Sequence, residues 1–157
     1  MGDLSEHFGK RDFTCRCGEC KDAFKISLTL VGVLEMMRTH FNKRVNILKG
    51  YTCPDYAEKQ GGVRKSYHAR GQAADITVDG VPLEEVFSYA ETIAQAHGIG
   101  FYPFKKFVHV DVREEAKSEK WVYEDDYLEL TDARRQKYSL PVQAPIPEAP
   151  AIPTAQT

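Results

Sequence analysis

The chain has 157 residues, with 21 Lys+Arg against 23 Asp+Glu for a formal net charge of −2, and 42% apolar residues. That length suits one domain whose core is stable without covalent staples, and the near-balanced charge argues against a general nucleic-acid binder, which carries a basic excess. No apolar run reaches the roughly 18–20 residues of a membrane span, and MGDLSEHFGKRDF lacks the apolar stretch of a secretory signal. The expectation is a soluble protein made in a cytosol, with neither nucleic acid nor membrane as partner.

In chain order, Ser27 is placed to cap a helix whose residues Leu30, Val33, Leu34, Met37 and Phe41 recur at helical spacing. VNILKGY (45–51) predicts a strand ending at a glycine, and Pro54 opens a short helix to about Gln60. GGVRKSYHARG (61–71) is polar and glycine-rich, which predicts a loop. AADITV (73–78) predicts a strand and Asp79-Gly80 a turn. Pro82 opens a second amphipathic helix with Leu83, Val86, Phe87, Ala90, Ile93 and Ala94 on one face, closed by Gly98. GIGFYP and FVHVDV (107–112) predict two further strands joined by a short basic turn. The pattern is that of a small α+β domain with an antiparallel sheet and flanking helices. Residues 141–157 hold five of the eight prolines, no aromatic residue and one charge. The folded domain is therefore expected over 1–140, followed by a Pro/Ala-rich tail that is disordered or links to another module or protein.

The chemistry concentrates in two strands. Alternation in FVHVDV puts Val108, Val110 and Val112 on one side and Phe107, His109 and Asp111 on the other. In AADITV it turns Ile76 and Val78 inward and Asp75 outward with Ala73 and Thr77. If the strands pair, His68, Asp75 and His109 converge. Two imidazoles and a carboxylate with a fourth position open are the ligand set of a catalytic zinc site. A half-buried histidine is ordinary, but aspartate is depleted in strands and costly there without a partner. Four cysteines, Cys15, Cys17, Cys20 and Cys53, form C-x-C-x2-C plus one distant residue. They leave three readings: a second, structural metal, one or two disulfides, or free thiols.

SYHARGQAADI (66–76) resembles the S-x-H-x-x-G-x-A-x-D signature of the zinc D-Ala-D-Ala carboxypeptidase and murein endopeptidase family, the LAS metallopeptidases. GIGFYPFKKFVHVDVR (98–113) resembles that family's second signature, which supplies the third ligand in H-x-D, and Trp121 also fits. HFGKRDFTCRCGEC and ILKGYTCPDYAEK are similar to a subgroup frequent in phage and bacterial cell-wall hydrolases. The resemblance covers most of residues 7–121. It implies a hedgehog/D,D-peptidase-like zinc fold, with one Zn2+ held by His68, Asp75 and His109. The implied reaction is hydrolysis of peptidoglycan stem peptides or cross-bridges at the cell wall, by an endopeptidase or D,D-carboxypeptidase of phage or bacterial type. Ser66, Arg70 and Gln72, together with Arg64 and Trp121, are then the residues expected to hold peptide.

Two departures bear on the mechanism. Many relatives carry an arginine in a G-Y-R string, where it clamps a substrate carboxylate. Here the string is Gly50-Tyr51-Thr52, without a charge. Arg64 or Arg70 is the available substitute, and an endopeptidase is favoured over a carboxypeptidase. Some relatives also place an acidic base three residues before the last ligand, where this chain has Lys106. That leaves Asp111 as the expected catalytic base or as the orienter of a ligand imidazole, with Glu114 and Glu115 as weaker candidates. The alternative reading is a catalytically inactive zinc-binding or structural phage or virion module of the same fold.

Overall fold

The computed structural model describes residues 2–21, 23–62, 66–114 and 117–142, so Arg64, Glu115 and the tail from 143 onward lie outside the described residues. In chain order come α1 (Lys10–Phe13), α2 (Leu28–Phe41), β1 (Val45–Lys49), α3 (Pro54–Lys59), β2 (Ala73–Val78) and α4 (Leu83–Ala90). A single 3-10 turn, His68–Arg70, precedes β2. Then follow β3 (Gly98–Tyr102), β4 (Phe107–Asp111), β5 (Glu119–Tyr123), β6 (Tyr127–Glu129) and α5 (Asp132–Lys137). The strands form one sheet in the order β1-β2-β4-β3-β5-β6.

One face of this sheet is apolar because every second residue is. Ala74, Ile76 and Val78 of β2, Val108 and Val110 of β4, Ile99 and Phe101 of β3 and Val122 of β5 are buried in a single cluster. Against them α2 lays Leu30, Val31, Val33, Leu34 and Met37, and α4 lays Val86, Phe87 and Ala90. Phe8 and Phe13 from the N-terminal segment and Leu140 after α5 join the same core. The other face carries the polar members of the alternation, Asp75, His109 and Asp111, and it is this face that holds the site. Among the described residues no helix is long and apolar enough to cross a membrane.

The expected α+β domain, a small sheet with flanking helices, is what forms, and three details differ. The sheet is mixed: β3 and β5 pair in parallel, while the other pairings are antiparallel. The cause is topological, because β4 ends with Asp111 opposite Gly98 and β5 begins with Glu119 beside that same Gly98. A chain crossing the start of β3 in this way can only run alongside it in the same direction. Second, the helix expected to reach Gly98 stops at Ala90. The Thr92 and Ile93 amides bond to carbonyls three residues back, and the Thr92 hydroxyl donates to Tyr89 O at 2.7 Å, a local bond that competes with helix continuation. Ala94 is exposed and Gly98 opens β3. Third, Ser27 occupies the N-cap of α2, yet its hydroxyl makes no capping bond. Its amide instead donates to Gly71 O at 2.7 Å, which ties the helix start to the loop carrying His68.

Candidate metal centre

Pairing of β2 with β4 puts Asp75 directly opposite His109. His68 arrives from the 3-10 turn that immediately precedes β2. These three residues are 8%, 7% and 8% exposed, and one ligand atom from each lies within 4.8 Å of the other two. His68 Nδ1 is 2.9 Å from Gly50 O, and a carbonyl can only accept, so Nδ1 carries the proton and Nε2 faces Asp75 Oδ1 at 3.3 Å. On His109 the roles are reversed. Nε2 donates to Asp111 Oδ2 at 2.8 Å, and Nδ1 lies 3.0 Å from Asp75 Oδ1. Each imidazole thus has one nitrogen fixed by a neighbour and the other turned to a common point, as outer hydrogen bonds fix metal-ligating histidines.

Opposite charges favour the close approach of these groups. Burial alone would raise the Asp75 pKa, but its interactions with His109 and His68 outweigh it and hold the carboxyl well below its usual range. Burial disfavours a charge on His109, yet Asp111 and Asp75 push its pKa up to about 9. Two imidazole nitrogens and a carboxylate oxygen at this separation fit a divalent cation, and zinc in particular accepts this donor set.

Asp111 is wholly buried and its two oxygens are crowded. Oδ1 accepts from Arg113 Nε at 2.7 Å and from the Arg113 amide at 3.2 Å, and Oδ2 accepts from Arg113 Nη2 at 2.7 Å. Burial raises the Asp111 pKa, and Arg113 with His109 more than reverses that. Room for these groups comes from β3, where Gly98 and Gly100 lie opposite Asp111 and His109. A Cβ on Gly98 would sit 2.1 Å from the Asp111 carboxylate, and one on Gly100 would sit 2.6 Å from the Trp121 ring.

The other sequence-derived candidates divide. Trp121 is at the site, its ring 5.2 Å from His109 and its Nε1 donating to Tyr102 Oη at 3.1 Å. Ser66 Oγ accepts from the Ala69 amide at 3.2 Å and so braces the 3-10 turn. Arg70 is exposed, with its guanidinium 5.0 Å from the Tyr67 ring centroid. Gln72 Oε1 is buried without a hydrogen-bond partner. Thr52 is 2% exposed and its amide donates to His68 O at 3.3 Å. Lys106 stands exposed in the β3–β4 turn, and Glu114 is exposed after β4. The four cysteines are free thiols in this structure, and their sulfurs converge closely enough to hold a metal. Hydrogen bonds from the Glu19 amide and from Cys20 lower the Cys17 thiol to about 6, while the bond to Cys17 and burial raise Cys20 to about 12.

Arg113 is the residue that sequence reasoning missed. It is 6% exposed, and its guanidinium lies 4.2 Å from the Tyr67 ring centroid and 5.5 Å from that of Trp121. Tyr67, Arg113, Trp121 and Tyr127 line a cavity of about 580 Å³ that reaches the site through Trp121, the ring 5.2 Å from His109, although none of the three ligands lines it. A groove of about 600 Å³ between the N-terminal segment and β1 is likewise lined by none of those ligands.

Comparison with known proteins agrees with this geometry. The chain is 36% identical over 74 residues to the peptidoglycan L,D-endopeptidase MepK of Escherichia coli K12, and equally to MepK of Shigella flexneri. Each match covers 44% of this chain and 40% of the relative's length. The family model for peptidase M15 matches residues 6–111, a span that contains all three metal-site residues, and the chain belongs to that peptidase family.

Proposed function

We propose that the protein is a zinc-dependent endopeptidase acting on the peptides of peptidoglycan. The observation that carries this reading is the convergence of His68 Nε2, Asp75 Oδ1 and His109 Nδ1 on one point beside an aromatic-lined cavity. When bound there, zinc supplies Lewis acidity, which polarises a scissile carbonyl and activates water at neutral pH. The protein's own part is to hold the three donors and fix their orientation. Gly50 O and Asp111 lock the two imidazoles, and Arg113 neutralises Asp111 so that its charge is tolerated in the interior. Tyr67, Trp121 and Tyr127 offer flat aromatic surface for a peptide.

Cleavage of an internal bond is favoured because Thr52, in the position of the family's clamping arginine, is buried and uncharged. The L,D-endopeptidase relatives point the same way. In this reading Asp111 is a positioning residue acting through His109, and the enzyme works at the bacterial cell wall. Digestion of purified peptidoglycan, with mass spectrometry of the fragments, tests the proposal. New termini within the stem or cross-bridge peptides are expected, and release of terminal D-alanine alone would make the protein a carboxypeptidase. A second reading, a zinc-binding module without turnover, is favoured by one observation: the Asp111 carboxylate is fully engaged by Arg113 and His109, and Lys106 replaces the acidic base. Stoichiometric zinc in the His68 site with no digestion would establish it.

A further inference from the structure

We infer that Cys15, Cys17, Cys20 and Cys53 form a second metal centre, a closed four-thiolate site for a soft divalent cation such as zinc, built to hold the N-terminal segment against the sheet. One sulfur from each lies within 4.8 Å of the others, and Cys53 Sγ is 3.8 Å from Cys17 Sγ. Four thiolates in tetrahedral reach are the donor set of structural zinc, and C-x2-C is one of its usual spacings.

The backbone around the sulfurs is shaped as a metal knuckle rather than as a set of incidental thiols. The amides of Glu19 and Cys20 both point at Cys17 Sγ, at 3.3 Å each, and the Cys53 amide points at Cys15 Sγ at 3.2 Å. N–H groups aimed at sulfur stabilise thiolate charge, which four anionic ligands on one dication need. The turn that aims them passes through Gly18 at φ +74°, a left-handed conformation that favours glycine. Between the first two cysteines, Arg16 donates to Ile47 O at 3.0 Å and to Leu48 O at 3.1 Å, where the register of β1 against β2 is irregular. The knuckle is therefore pinned to the sheet edge by a side chain as well as by Cys53.

The fourth ligand gives the centre its consequence. Cys53 follows the stretch Gly50-Tyr51-Thr52, whose Tyr51 amide bonds to Phe13 O at 2.7 Å and whose Gly50 carbonyl holds His68. A metal joining residues 15–20 to Cys53 closes both ends of that stretch. Binding displaces the thiol protons and involves no change of oxidation state.

The site can be read on the full-length protein without reference to catalysis. Reduced, metal-free protein titrated with cobalt(II) should bind two equivalents, one of which gives intense thiolate-to-cobalt charge transfer in the near ultraviolet. His109→Ala should retain that band with a single equivalent, whereas Cys17→Ser should lose the band. In the zinc-loaded native protein a thiol reagent should find no reactive cysteine, and chelation in denaturant should release four. A single equivalent without the charge-transfer band, or four thiols that react freely with zinc present, would overturn the centre. So would fewer than four thiols in denaturant without reductant, since that reveals disulfides. The wild-type measurements stand even if Cys17→Ser folds poorly.

Discussion

Asp111 is two residues beyond His109 on the same strand face, and that position permits either accepting a proton during catalysis or orienting the ligand ring. Its oxygens already accept from Arg113 and from His109 Nε2, which leaves the carboxylate suited to orientation. Asp111→Asn is therefore expected to weaken zinc binding by about 10–100-fold, with turnover restored by excess zinc. Zinc titration run beside kinetics checks this, and a lost kcat with unchanged zinc affinity would make Asp111 the base instead. His109→Ala removes one of three donors and should abolish zinc at this site. The apolar core keeps the circular dichroism of the fold, because the residue lies on the sheet face opposite that core. Arg113 was illegible in the sequence for a physical reason. A charged residue just past a strand normally points to water, and its burial depends on Tyr67, far back along the chain, and on Trp121 in the next strand.

Where an element's own residues decide its structure, the sequence was readable. FVHVDV and AADITV alternate cleanly, so the pairing that joins Asp75 to His109 could be anticipated from their periods. Strands β5 and β6 could not. EKWVY begins with two charges, and it is held by parallel pairing with β3, a neighbour chosen by topology rather than local pattern. GIGFY was read as a strand, but the work of its glycines shows only against the strands on either side of it. Gly100→Ala should drive the Trp121 ring from its place, and a changed near-ultraviolet spectrum with lowered zinc affinity would report it. The C-terminal helix α5 is likewise secured by tertiary bonds. Arg135, 4% exposed, donates to Glu91 at 2.6 and 3.0 Å and to Pro141 O at 2.8 Å. Arg135→Ala leaves Glu91 with one cation, Lys120 at 3.2 Å. Leaving a buried charge wholly uncompensated costs about 3–5 kcal/mol, and because Lys120 remains the loss should fall below that, measurable as a shift in urea unfolding.

At the scale of the whole molecule, the sheet has one face for cohesion and one for chemistry, and the N-terminal segment bridges the two. It contributes Phe8 and Phe13 to the core and three cysteines to the proposed second centre. Because Cys53 and Gly50 share one stretch of backbone, Cys17→Ser should both lower thermal stability and loosen His68. A loss of about 2 kcal/mol would lower Tm by roughly 4–8 °C in a chain of this size, and zinc affinity at His68, Asp75 and His109 should fall with it. Calorimetry and zinc competition would reveal the coupling, and unchanged affinity would show the centres to be independent. Whether His68, Asp75 and His109 form a zinc-dependent peptidase site is decided by following digestion of purified peptidoglycan with bound metal measured in parallel. EDTA should abolish digestion, zinc should restore it, and His109→Ala should be inactive with or without zinc. Digestion that persists after the metal is removed, or full activity in His109→Ala, would contradict that assignment.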